Sequence, residues 1–233
     1  MKILAFESSA GPASVALCAD GKICALAYQN GGFTHSKTLL PTADFVLSCA
    51  GVKPEEVDIF AIAAGPGSFT GLRIGVSTVK GMAWAVDKPC AAVSTLLAMA
   101  YMHRERDGIV CPAMDARRGQ IYTAAFAVSR GEVTRLTDDR AVSALEMCDF
   151  LSEQNERALL VGDGAAVLYA AAEGRGISCS FAPEETRYQN AAGVAAAAAG
   201  CATVSAAELR PVYLRLSQAE REKNARENGD TRQ

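Results

Sequence analysis

A chain of 233 residues is long enough for one large domain or two small ones, with a sizeable hydrophobic core. Half of its residues are apolar and 21% are charged, which excludes a disordered, collagen-like or disulfide-miniature protein. The formal charge is -3 and no long run of like charge occurs, so unaided tight binding to a nucleic-acid backbone, which rests on clustered cations, is not expected.

The first residues, Met1-Lys2-Ile3-Leu4-Ala5-Phe6-Glu7, meet a charge at Glu7 before a signal-peptide core could form. Export is not expected, and a cytoplasmic location is. Three short strand patterns follow one another, Ile3 to Glu7, Ser14 to Cys18 and Ile23 to Tyr28, separated by Gly11-Pro12 and Asp20-Gly21 turns. After Gly31-Gly32 the period becomes helical, with Leu39, Ala43, Val46 and Ala50 on one stripe and Gly51 as the stop. A continuous apolar strand at Ile59 to Ala64 leads to a helix over Gly71 to Val86, a strand at Cys90 to Val93 and a helix from Ser94. Uninterrupted apolar strands alternating with helices are strands buried on both faces.

From Ile109 the order begins again. Strand patterns at Ile109 to Met114, Ile121 to Val128 and Val133 to Leu136 precede a helix at Ala144 to Ser152. A strand at Leu159 to Val161, a helix from Ala165, a strand at Ile177 to Phe181 and an alanine-rich helix ending near Gly200 complete it. Matching elements are offset by roughly 105 to 110 residues, which predicts two copies of a β-β-β-α-β-α unit. The short polar link Arg104 to Gly108 sets the expected lobes at 1–105 and 106–217. Residues 218–233 hold nothing large and apolar to bury and are expected to be a solvated, disordered tail. The uncharged run Tyr188 to Ala207 is too rich in alanine, glycine and polar residues for a membrane span.

The cysteines stand singly without a C-x-x-C pair. With His35 and His103 as the only histidines, no zinc site of ordinary spacing can be drawn. Reduced, mostly buried thiols are expected.

The most distinctive segment is Gly65-Pro66-Gly67-Ser68-Phe69-Thr70-Gly71-Leu72-Arg73-Ile74-Gly75, between a buried strand and a helix. Such a turn suits phosphate binding through backbone N-H groups. Its glycine spacing, however, is one residue too long for the dinucleotide fingerprint, and no Walker lysine follows. The other reading is close helix packing at Gly71 and Gly75. A second turn, Gly162-Asp163-Gly164, lies between a strand and a helix of the second lobe, where Asp163 is either a helix cap or part of a nucleotide cleft. Glu7 and Asp115 end the first strand of each lobe and could hold hydrated magnesium or organise their own turns. Arg117 and Arg118 suit an anion, a partner's carboxylate or solvent. No G-x-S-x-G elbow or triad context is present.

Taken together, Ile3-Leu4-Ala5-Phe6-Glu7-Ser8-Ser9, His35-Ser36-Lys37-Thr38-Leu39-Leu40-Pro41, the Gly65 to Gly75 segment and Asp115-Ala116-Arg117 resemble the bacterial TsaB (YeaZ) family. The resemblance covers the first lobe almost throughout and the opening of the second. It implies an α/β, two-lobed fold of the actin, sugar-kinase and Hsp70 type. It also implies a non-catalytic paralogue of TsaD, the enzyme that transfers threonylcarbamoyl to adenosine beside the anticodon of ANN-decoding tRNAs. The implied partners are TsaD, bound through the first lobe, and the ATPase TsaE in the assembled complex. A homodimer is expected when the chain is alone, with tRNA met only through the complex. TsaD-like proteins carry metal-binding histidines four apart. Here Thr95 and Met99 stand at those positions, and neither can replace a neutral imidazole. No metal site, cofactor or catalytic residue is expected.

Under this reading the partner would meet the stripe Leu39, Ala43, Val46 and Ala50 together with Gly71, Gly75, Val79 and Met82, unless these stripes face their own sheet. The alternatives are a small-molecule phosphotransferase of the same fold, with Glu7 and Asp115 near a magnesium nucleotide and Gly162, Asp163 and Gly164 around adenosine, or a dormant nucleotide-binding module.

Overall fold

The computed structural model describes residues 1–154 and 156–215; the tail expected at 218–233 lies outside them. In chain order the elements of the first half are β1 (Lys2–Glu7), β2 (Ala13–Ala19), β3 (Lys22–Gln29), α1 (His35–Ala50), β4 (Ile59–Gly65), α2 (Phe69–Ala85), β5 (Cys90–Ser94) and α3 (Thr95–Tyr101). The second half adds β6 (Gly108–Asp115), β7 (Gln120–Thr123), β8 (Phe126–Ser129), β9 (Glu132–Arg135), β10 (Arg140–Ser143), α4 (Ala144–Ser152), β11 (Ala158–Val161) and α5 (Ala165–Glu173). It ends with β12 (Cys179–Phe181), α6 (Glu184–Arg187), α7 (Ala191–Ala198) and β13 (Thr203–Val204).

The first sheet has the order β13-β5-β4-β1-β2-β3, with β1 antiparallel to β2 and parallel to β4. The second repeats that plan. Its first strand, β6, runs antiparallel to β7 and β8 and parallel to β11, which pairs in turn with β12. The expected 121–128 strand is split into β7 and β8, which pair with different stretches of β6, and β10 is an additional edge strand on β7.

The pleat sends alternate residues of the first sheet to opposite faces, and the faces differ in size. Leu4, Phe6, Val15, Leu17, Phe60 and Ile62 pack with α1 and α2. Ile3, Ala5, Ala16, Ala61, Ala63 and Ala91 form the other side, where α3 and α7 lie. A surface of methyl groups lets a helix of methyl groups come very close, which explains the alanine-rich sequence of α7. A Cβ on its Gly193 would overlap the Ala98 carbonyl oxygen of α3.

This packing corrects the expected lobe boundary at residue 217. From Ala191 the chain returns to the first lobe, laying α7 on its sheet and pairing β13 with β5. Residues 205–215 then form a strap along α2, anchored in the core by Leu209. Lys80 Nζ donates to the Ala207 and Leu209 carbonyl oxygens at 3.1 and 3.3 Å. The strap's Val212 N-H reaches the Ala64 carbonyl at 2.7 Å. Helix α3 is the wall common to both lobes, with Leu96, Met99 and Ala100 packed against Val110, Met114, Phe126 and Val161. Among the described residues no helix is long and apolar enough to cross a membrane. The cysteines are free thiols, and burial pushes Cys111 up to about 12.

Candidate functional site

The Gly65 to Gly75 segment is a packing device. Gly65, with φ of 139° and a cis bond to Pro66, ends β4 directly beneath the strap, where a Cβ would overlap the Val212 carbonyl oxygen. On Gly67 a Cβ would strike the Ser9 carbonyl, and on Gly71 that of Ser8. At Gly75 it would meet Ser8 Oγ and come within 2.8 Å of Ile62 Cδ1. Contact this close allows Ser8 Oγ to donate to the Gly71 carbonyl at 3.0 Å, while the Ser68 N-H donates to the Ser9 carbonyl at 2.7 Å. Ser68 Oγ accepts from Gly71 N and caps α2. The glycines therefore press the start of α2 onto the turn after β1.

Glu7, the last residue of β1 before that turn, is fully buried. Its Oε1 accepts the Ser9 N-H at 2.6 Å, and its Oε2 has no protein hydrogen-bond partner. Burial pushes the carboxyl up to about 7, with a smaller contribution from the negative charge of Asp163. Asp163 opens to solvent on one side but is crowded by protein on the other, which holds its carboxyl above the usual range. Gln189 Nε2 donates to its Oδ1 at 2.9 Å, and the Asp115 charge adds to the upward push. Asp115 is exposed, and its Oδ1 accepts the Arg117 N-H at 2.7 Å. Asp163, in the second lobe, thus lies within electrostatic reach of Glu7 in the first lobe and of Asp115 in its own.

The backbone N-H groups of the glycines beside them are already used within the protein. The Gly162 N-H is bonded to the Arg187 carbonyl at 2.7 Å and that of Gly164 to the Ala113 carbonyl at 2.9 Å, so neither is open to a phosphate. A Cβ on Gly162 would lie 2.6 Å from Met99 Cε, and one on Gly164 would lie 2.6 Å from the Met114 carbonyl carbon. Both are glycine because the turn rests on β6 and α3. Asp163 does not cap α5, whose N-cap is Gly164 without a side-chain bond.

A second correction concerns the helix stripes. Leu39, Ala43, Val46 and Val79 are at most 1% exposed within the lobe's own core, and Ala50 and Met82 lean on that core. With Gly71 and Gly75 pressed on the β1 turn, the stripe is the inward side of both helices. What the pair presents outward is Leu40 and Phe45 on α1, 54% and 60% exposed, and Trp84 on α2, 69% exposed. Phe33, just before α1, is 67% exposed. Ser77 and Gly81 share the outer side of α2, and nothing lies within 4 Å of a Cβ on Gly81. The sequence reading passed over these residues, although Trp84 is the chain's single tryptophan and Leu40 adjoins Leu39.

Thr95 and Met99 are buried in α3. Met99 Cε fills space under Gly162, and the hydroxyl and thioether there do not fit a metal that needs paired imidazoles. His35 Nε2 lies 2.9 Å from the Ala10 carbonyl, tying α1 to the turn after β1. His103 Nε2 lies 3.0 Å from the Thr186 carbonyl, and burial lowers its pKa.

Two lobes with the same strand plan, joined by a common helix, define the actin, sugar-kinase and Hsp70 class of fold. The profile of the TsaD family, described as tRNA N6-adenosine threonylcarbamoyltransferase, matches residues 29–226. The chain is 33% identical over 162 residues to the tRNA threonylcarbamoyladenosine biosynthesis protein TsaB of Bacillus subtilis strain 168, covering 70% of this chain and 71% of that one. To its Haemophilus influenzae namesake it is 31% identical over 229 residues, 92% and 94% of the two chains. The solved structure of YeaZ from Pseudomonas aeruginosa superposes with a TM-score of 0.79 at 26% identity, covering 91% of this chain and 99% of that one. The chain belongs to the TsaB (YeaZ) family.

Proposed function

We propose that this chain serves tRNA threonylcarbamoyladenosine formation as the non-catalytic partner of a TsaD-type transferase, held through the outward faces of α1 and α2. The observation that carries this reading is the exposure of Leu40, Phe45 and Trp84 on adjoining helices and of Phe33 just before α1. Large aromatic anchors at a helical surface are what a stable interface buries. The catalytic side supports it by chemistry, because Thr95 and Met99 cannot supply the paired histidines and the glycine-turn amides are already bonded. A homodimer through the same face, replaced by the paralogue on mixing, follows from the likeness of the two partners. TsaE joins the assembled pair, and the work takes place in the cytoplasm.

The test is light scattering after size exclusion of this chain alone and mixed with the TsaD paralogue of the same organism, with Phe45→Glu and Trp84→Glu beside the wild type. A heterocomplex forming at the expense of homodimer, and lost in both variants, is expected. A wild-type chain that stays separate in the presence of TsaE and nucleotide overturns the proposal.

A further inference from the structure

Cations scattered through the sequence are gathered into one strip by the strap. On α2, Lys80 bonds the Ala207 and Leu209 carbonyls, and Arg210 Nη1 lies 3.1 Å from the same Leu209 oxygen. Seven residues earlier on the helix, about 10 Å at its ordinary rise, Arg73 Nε donates to Tyr213 Oη at 3.1 Å. There Tyr213 is stacked on Phe69 with ring centroids 4.1 Å apart, and the Arg73 guanidinium stands 5.4 Å above the Phe69 ring. Two residues further, Arg215 Nη1 crosses to the second lobe and donates to the Ala116 carbonyl at 2.9 Å. Beside Ala116 stand Arg117 and Arg118, both exposed and both left-handed, with φ of 64° and 57°.

The strip thus runs Lys80, Arg210, Arg73, Arg215, Arg117, Arg118. Helix α2 contains no acidic residue; among the described residues the strap contributes Glu208, bonded to Ser205 and facing Arg210, and the turn contributes Asp115, bonded to Arg117 N-H, with Asp163 beside it, so the six cations outnumber the carboxylates along the strip. A concentration of positive charge on one flank of a chain whose net charge is -3 marks a surface for a polyanion. The arginines add planar donor forks suited to phosphate. Two consecutive non-glycine residues in the left-handed region are backbone strain of the kind retained at working surfaces.

We propose that this strip is a contact for the phosphate backbone of tRNA, on the flank of α2 away from α1, so that the subunit helps hold the substrate in the complex. This rests on the tRNA-modification reading above. The strip alone is too short for tight binding and acts by adding phosphate contacts to those of the partner.

The experiment measures binding of an unmodified transcript of an ANN-decoding tRNA, by fluorescence anisotropy at several salt concentrations, to this chain, to the TsaD paralogue and to their mixture. The variants are Arg117→Asn/Arg118→Asn, in which asparagine tolerates the left-handed backbone, and Arg215→Gln. A charge-matched control, Lys22→Gln/Lys53→Gln, lies away from the strip. The double variant is expected to weaken tRNA binding by the mixture about tenfold and to reduce the slope of log K against log salt by about 2. Arg215→Gln is expected to reduce the slope by about 1. Light scattering should show association with the paralogue unchanged in every variant. Affinity and slope equal to the control overturn the inference, and so does loss of paralogue binding in the strip variants, which would make the strip a protein contact. If the wild-type chain does not bind the paralogue, it is the functional reading that fails, and the slopes measured on this chain alone decide the strip.

Discussion

Alanine scanning of the glycines in α2 separates packing from helix propensity within a single helix. At Gly71 the added methyl would overlap the Ser8 carbonyl oxygen, a backbone atom that cannot swing aside. Forcing extra volume into such a contact costs about 1–3 kcal/mol. Displacing α2 also weakens the Ser8 to Gly71 hydrogen bond, worth about 1 kcal/mol. Against this stands the higher helix propensity of alanine, about 1 kcal/mol. The balance is destabilisation by about 1–3 kcal/mol, or roughly 2–12 °C in Tm for a chain of this size. At Gly81, where nothing lies within 4 Å of a Cβ, only the propensity acts, and Gly81→Ala should raise stability by up to about 1 kcal/mol. Urea unfolding followed by circular dichroism measures both. A Gly71→Ala protein as stable as wild type would refute the view that these glycines exist to seat α2 on the β1 turn, and a ligand role for the segment would have to be reconsidered.

Other perturbations are equally specific. Phe45→Glu and Trp84→Glu should leave stability within about 0.5 kcal/mol. Each should weaken association with the paralogue by at least about thirtyfold, the equivalent of 2 kcal/mol at an interface anchor, as read by calorimetry. Val46→Glu instead buries an unpaired charge at a residue 1% exposed and should cost about 4 kcal/mol or more in urea unfolding, so its loss of binding would reflect unfolding. Glu7 has a folded-state pKa of about 7 against 4.5 unfolded, so the fold favours its protonated form. Its contribution is fully present below about pH 4.5 and is lost as pH rises through 7, a change of about 3 kcal/mol. The stability of Glu7→Gln relative to wild type should rise across that window and level off above it, and a pH-independent difference would contradict the burial argument. Tyr213→Ala removes the stack on Phe69 and the Arg73 bond. It should speed hydrogen exchange along residues 205–215 while leaving β1 and β4 protected.

Much of this was legible in the residues. The apolar strands β1, β4, β5, β6 and β11 follow from short runs bounded by glycine and acidic turns, and the repeat of their order announced two lobes. The close fit of α2 was written in the spacing of Gly71 and Gly75. The faces of α1 were not, because Leu39 and Leu40 are neighbours and a helical period allows either to lie inward. Only the sheet, offering Leu4, Phe6 and Leu17 on one side, decides that Leu39 is buried and Leu40 exposed. The destination of α7 was equally hidden. Alanine at every turn says that a helix is buried closely and says nothing about which sheet receives it.

The sequence by itself determined the strand-and-helix order, the duplicated plan, the family and the absence of imidazoles at positions 95 and 99, since these depend on local pattern and residue chemistry. Tertiary structure decided which side of α1 and α2 faces outward and why Gly162 and Gly164 are glycine. It also decided how a strap from the end of the described chain joins Lys80, Arg73 and Arg117 into one charged strip. Those outcomes depend on contacts between segments more than a hundred residues apart in several cases, such as Arg73 with Tyr213. Such contacts arise from the mutual fit of surfaces once the sheets have formed, and neither local propensity nor periodicity encodes them.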